Sequence, residues 1–270
     1  MNILYKRKHE LWLEMAFASF ATPEAEISSR LYEFSLIMFR HMKWLSLEIV
    51  EQKGSFDYDR DLKLQESDSL FALLDSLATN IESLKALYPQ TPLGERLYSD
   101  DTYMLSYIKE LLKSEQNNTP ITAFNRARIW PHSSLDEEQR DALTLFLLEE
   151  SYKEYELILV YNYMQAHTDN ALHTSVFQDL IDESHYHFKA FGQMMAQLGI
   201  LSLPRELHPM SYIIKDLTLF VESGIAEEEA AKEMCRALSE KINDKELSEF
   251  FDYINAQESY HIELMRKLLK

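Results

Sequence analysis

Among its 270 residues the chain has one cysteine, five glycines and seven prolines. A lone Cys235 excludes an internal disulfide framework and fits a reducing compartment. So few glycines and prolines cannot supply the closely spaced turns of a β-sandwich or barrel. Long apolar runs are missing too. Apolar patches such as Leu145–Leu148 and Leu157–Tyr161 fall far short of the roughly twenty residues that span a bilayer. The opening stretch MNILYKRKHELWLEM carries basic residues with no sustained apolar segment or small-residue cleavage site behind them, which predicts no signal peptide. Positive charge is scarce: 27 Lys and Arg against 45 Asp and Glu leave a net −18. That balance repels phosphate backbones and anionic lipid, so neither nucleic acid nor a membrane is an expected partner. No nucleophile elbow, P-loop or dinucleotide fingerprint occurs, which removes the usual grounds for a hydrolase, kinase or dehydrogenase. The expectation is a soluble cytoplasmic protein.

What is abundant is helix former: Leu, Glu, Lys, Ala and Met dominate, and the fold class expected is all-α. Helical periodicity is broken at Thr22–Pro23, Gly54–Asp59, Pro89–Gly94, Asn117–Ser134, Thr168–His173, Gly199–Pro209, Ser223–Gly224 and Asn243–Asp244. Thr22-Pro23-Glu24 offers an N-cap with proline at the first position, and Ser134-x-x-Glu137 reads as a capping box. The polar, unperiodic 117–134 is the natural linker between a unit at 1–116 and one at 135–270. The two sides resemble each other in three collinear places. DTYMLSYIKELLK at 101–113 matches ESYHIELMRKLLK at 258–270, IESLKAL at 81–87 matches KEMCRAL at 232–238, and MFRHMK at 38–43 matches SHYHFK at 184–189. Order and number together predict an internal repeat. Each half then has two helical hairpins: 6–21 with 24–53 and 61–88 with 95–113, then 138–167 with 173–198 and 225–242 with 246–269. A further helix near 209–222 lies in the second crossover.

The chemistry-bearing residues cluster in the second half. Glu258 and His261 are three apart, on one helical face with Phe251, Ile254, Met265 and Leu268. A carboxylate and an imidazole turned to a core need partners, because an unpaired buried charge is costly. A metal ion is one such partner. Residues equally distant from an antiparallel turn lie level at about 1.5 Å per residue. With the last turn centred near 245, Glu258 faces Glu233, the residue that the repeat selects as well; Glu229 lies one turn away. In the preceding hairpin, Glu154 shares a face with Glu150, Leu147 and Ile158, while Glu156 is a neighbour of similar height. Opposite them stand Glu183 and His187 at i,i+4, with Asp182 and His185 as the alternative pair, turned further toward solvent.

Glu on one helix, a Glu/His set on the second, Glu on the third and Glu-x-x-His on the fourth resemble the ferritin-like di-iron carboxylate superfamily. The resemblance implies two ferritin-like four-helix bundles in tandem. It also implies a di-metal centre of two iron ions, or manganese, in the second bundle, with Glu154, Glu183, His187, Glu233, Glu258 and His261 as ligands. The chemistry implied is activation of oxygen or peroxide, as in a ferroxidase, peroxidase or oxygenase. The second helix departs from the family's Glu-x-x-His, since position 184 is serine and 186 tyrosine. The first half departs further. Its equivalents are Glu10, Met38 and His41, Glu82, and Asp101 and Met104, and thioether does not suit iron or manganese. That half reads as a metal-free structural bundle, or the part through which a homodimer forms. The rival for the whole chain is a metal-free helical structural or interaction protein.

Overall fold

The computed structural model describes residues 1–64, 67, 69–114, 119–121 and 135–270; the expected linker at 117–134 lies outside them apart from 119–121. Every described element is helical: α1 (Asn2–Ala21), α2 (Ala25–Glu51), α3 (Leu70–Leu84) with a 3-10 turn at Lys85–Leu87, α4 (Pro92–Ser114), α5 (Glu137–Ala166), α6 (Ala171–Gln197), α7 (Pro209–Tyr212), α8 (Leu217–Lys241) and α9 (Lys245–Leu268). None of the described helices is long and apolar enough to cross a membrane.

Short polar side chains start several of them. Ser69, Asp136, Asp216 and Asp244 each accept a backbone N–H from the first turn of α3, α5, α8 and α9. The capping box of α5 is Asp136 with Gln139, two residues after the expected start; the expected cap Ser134 lies outside the described residues. Thr22 serves the end of α1 instead of the start of α2, its hydroxyl donating to the Ala18 carbonyl at 2.6 Å. The expected break at Ser223–Gly224 is absent. α8 runs straight through it, because Gly224 faces α9 so closely that a Cβ would lie 3.3 Å from Met265. That glycine is a packing residue, not a stop.

The chain divides into two compact units. The amino unit contains α1 to α4 and also takes Gly192–Glu206, so the boundary is not a single crossing of the chain. Within it α1 packs on α2, α3 on α4, α1 on α3 and α2 on α4. Close approach at the first hairpin is held by reciprocal bonds, Ser19 Oγ to the Ser28 carbonyl and Ser28 Oγ to the Ser19 carbonyl, at 2.6 and 2.8 Å. Gly192 lies against Phe20, where a Cβ would come within 2.3 Å of the ring. The carboxyl unit comprises α5, α6 as far as Phe191, and Leu207–Lys270. There α8 packs on α9 and α5 on α7 and α8, and Ser239 and Ser248 repeat the reciprocal serine bonds at 3.2 and 3.1 Å. Phe146 sits edge-on to Phe191 and Phe251, and Tyr161 stacks on Phe177, giving a buried aromatic core.

Two buried imidazoles make the amino unit sensitive to acid. Burial, assisted by the Arg60 charge, pulls His9 down to about 3. Burial and then Lys8 pull His41 down to about 3, against the pull of Asp100. Both rings are therefore neutral in the folded unit but take up protons near pH 6.5 when it unfolds. Their contribution is present above that pH and is lost as pH falls toward 3, on the order of several kcal/mol for the two. Circular dichroism should show helix lost between pH 6 and 4, and His9→Phe should move the midpoint to lower pH. A helical signal that holds unchanged to pH 3 would contradict this.

Candidate metal centre

Four helices of the carboxyl unit turn ionisable side chains into one buried place. α5 brings Glu150 and Glu154, α6 brings His187 and the half-buried Glu183, α8 brings Glu228, and α9 brings Gln257, Glu258 and His261. Glu258 stands between the two imidazoles. Its Oε2 lies 3.0 Å from His261 Nδ1 and its Oε1 lies 3.8 Å from His187 Nδ1. The ring centroids are 5.2 Å apart, and His187, Glu258 and His261 each offer a ligand atom within 4.8 Å of the others. Glu154 Oε1 meets His187 Nδ1 at 2.9 Å, and Glu228 Oε2 lies 3.7 Å from His261 Nδ1. Both imidazoles thus present Nδ1 to carboxylates.

Gln257 fixes the orientation of His187. Its amide oxygen accepts from His187 Nε2 at 3.2 Å while its amide nitrogen donates to Glu183 Oε2 at 2.9 Å. Such an outer contact sets which ring nitrogen faces an ion. Among the described residues, the buried polar atoms at this cluster with no hydrogen-bond partner include Glu154 Oε2, His261 Nε2 and the Tyr161 hydroxyl, the last of which lies in the field of Glu228, Glu154 and Glu258. Buried polar groups are rarely left so, and each has an explanation to find.

The electrostatics describe a site short of positive charge. Burial pushes Glu258 up, and its hydrogen bond to Glu228 pushes it further, to about 8. Burial also opposes ionisation of Glu228, but hydrogen bonds with Glu258 and His261 overcome it and hold that carboxyl at about 2. Burial pulls the His261 imidazole down, yet the contacts to Glu228 and Glu258 outweigh it and raise it to about 11. His187 is raised in the same way, with Glu154 overcoming burial. Burial, helped by the charges of Glu154, Glu228 and Glu149, carries Glu150 up to about 7 against the pull of Lys153. Protons therefore neutralise the cluster, and a metal cation would compete for the same places.

Several residues expected from sequence lie elsewhere. Glu233 is exposed and paired with Arg236; the carboxylate that α8 turns inward is Glu228. Glu229, exposed, is paired with Lys232 at 3.5 Å. Asp182 is exposed and accepts from Gln178, whereas His185 is buried, contrary to the solvent-facing position expected for it. Glu156 is half-buried, two residues round α5 from Glu154 and so on another face. The signal for Glu228 was available: α8 ends at Lys241 and α9 begins at Lys245, so the turn centres near 243. Shifting the centre by two residues shifts the level partner of Glu258 by four, from near 232 to 228. The Glu227–Glu229 run reads as a helix start only if α8 begins there, and it begins ten residues earlier.

No protein family, no curated protein and no solved structure matches the chain. What the site does is therefore argued from its own atoms.

Proposed function

We propose that the chain is two ferritin-like four-helix bundles in tandem, and that the carboxyl-terminal bundle holds two iron ions, or manganese, for reaction with oxygen or peroxide. The observation that carries this reading is Glu258 set between two imidazole Nδ1 atoms, with Glu154 Oε2 and His261 Nε2 buried and unbonded beside it. The donors fit: carboxylate and imidazole together suit iron and manganese, and four carboxylates from four helices supply the charge that two divalent ions require.

In this reading Glu154, His187, Glu228, Glu258 and His261 would hold the ions. Glu183 closes the side facing solvent. A reduced pair of such ions would supply the electrons for activating oxygen or peroxide. The chain's own residues do the rest. Gln257 keeps His187 turned with Nδ1 inward. Leu147, Ile158 and Phe251, all fully buried, keep bulk water out. Glu150, one turn along α5 from Glu154 and carried to about 7, can hold or release a proton at its carboxyl near neutrality. The hydrogen-bond chain Glu154–His187–Gln257–Glu183 closes without an ion, which is the feature that favours the rival, a metal-free helical interaction protein.

Metal analysis separates the two. Protein purified from iron- and manganese-supplied cells, or loaded with Fe(II) without oxygen, should carry close to two ions per chain. Protein that stays folded and binds none under anaerobic Fe(II) would leave the interaction-protein reading in its place.

A further inference from the structure

The amino unit has a related constellation in which a lysine stands in place of one carboxylate, an aspartate in place of Gln257 and a methionine in place of His261. Lys8 and His41 are separated by the same 33 residues (8 to 41) as Glu154 and His187 (154 to 187). His41 and His187 also lie sixteen residues after the first residues of α2 and α6, Ala25 and Ala171. The match of 101–113 with 258–270 places Asp101 at the position of Glu258, Asp100 at that of Gln257 and Met104 at that of His261. Distances agree with this registration. His41 Nε2 meets Asp100 Oδ2 at 3.1 Å where His187 Nε2 meets Gln257 at 3.2 Å. His41 Nδ1 lies 3.6 Å from Asp101 Oδ1 where His187 Nδ1 lies 3.8 Å from Glu258 Oε1. The sequence had pointed to Glu10 on α1. Glu10 is buried but turned away, accepting from Arg7 and from the Asp61 backbone.

Lys8 occupies the vacated place. Its side chain is wholly buried, with Nζ 2.6 Å from both Asp101 oxygens, 3.6 Å from Met38 Sδ and 5.4 Å above the Tyr88 ring. The Tyr88 hydroxyl also donates to Asp101. His41 Nδ1, in a fully buried ring, has no hydrogen-bond partner and faces the same carboxylate.

We propose that the amino unit carries a second divalent-metal site whose ion is replaced by the chain's own ammonium group, that of Lys8. The inference rests on the reading of the carboxyl site as a metal centre. A primary ammonium is a compact unit charge on a flexible stem, and it can neutralise the Asp101 carboxylate it touches without any external ligand. Substituting lysine for the carboxylate changes the local charge by two units. That is the amount by which a divalent ion becomes surplus. Methionine at 38 and 104 then fills space that ligands need not occupy.

Lys8→Glu should reopen the site. The probe is Mn(II) alone, titrated into full-length protein by calorimetry and by thermal melting, always against wild type. The variant should bind one more ion per chain than wild type, and saturating Mn(II) should raise its thermal midpoint by about 5 °C or more over any rise in wild type. Adding Asp101→Asn should remove the extra ion. A Lys8→Glu protein that folds only in Mn(II) would support the proposal equally. If it folds and binds no extra ion, the proposal falls. If it does not fold with or without Mn(II), Lys8→Ala is read instead, and the absence of a larger Mn(II)-induced rise than in wild type overturns the proposal. Wild-type stoichiometry reports on the carboxyl site, and only the difference between variant and wild type reports on Lys8, so either can fail without the other.

Discussion

Replacing Glu258 by alanine is expected to abolish metal binding in the carboxyl unit, a loss of more than a hundredfold in affinity. Among the described residues Glu258 is the one carboxylate within reach of both imidazoles, 3.0 Å from His261 Nδ1 and 3.8 Å from that of His187. Without it the Glu154–His187 and Glu228–His261 pairs lose the carboxylate that both imidazoles share. Loss of an outer contact alone typically costs ten- to a hundredfold, so loss of the central ligand should exceed that. The same Mn(II) titration has internal controls. His187→Ala should weaken binding tenfold or more. His185→Ala should change it little, because 185 lies about 160° round α6 from 183, whereas 187 lies about 40° from it. His41→Ala should leave the stoichiometry as it is. Folding is the other control. Burial already favours the neutral form of Glu258, which is pushed up to about 8, so in metal-free protein near neutral pH its removal should leave the helical signal intact. Full binding by a folded Glu258→Ala protein would end the di-metal reading.

How much of this was legible in the sequence depends on what each signal measures. Composition and turn residues suffice for an all-helical chain and for most helix ends, because a cap such as Asp244 acts locally, although Asp216 was passed over inside an expected helix. Residues three or four apart on one helix were also legible, since 100° per residue fixes their shared face; Glu258 with His261 is the case in point. Residues brought together by two helices were less so. Height across a hairpin doubles any error in the turn centre, and that is why α8 was expected to contribute Glu233 in place of Glu228. Gly224 misled for a different reason. A glycine at a tight helix crossing and a glycine at a helix stop are the same letter, and only the proximity of Met265 tells them apart. Lys8 was hidden by its type. A lysine in an acidic chain reads as surface, and only the partner 93 residues away makes it core.

That same partner sets the second large effect: Lys8→Met is expected to cost the protein about 3–5 kcal/mol at pH 7, the range for breaking a buried ion pair from one side. Methionine fills the space of the lysine stem, so the loss is one of charge, not of packing. Burial pulls the Lys8 amine down and pushes the Asp101 carboxyl up, and each is pulled back by the other. Once Lys8 is gone, burial and the Asp100 charge both push the Asp101 carboxyl up with the Tyr88 hydrogen bond left to oppose them, and it rises further and tends to keep its proton. A carboxyl with a folded value above its unfolded one of about 3.9 destabilises progressively as pH rises from there toward the folded value. The deficit of Lys8→Met relative to wild type should therefore be smaller near pH 6 and grow toward pH 7. Adding Asp101→Leu should recover much of the loss, since an apolar pair of similar volume leaves no charge to bury, and the two single losses should then not add. Urea denaturation of the four proteins across that pH range measures all of this. A Lys8→Met protein as stable as wild type at pH 7, or a deficit that shrinks as pH rises, would mean that the ammonium is not what holds Asp101 in the core.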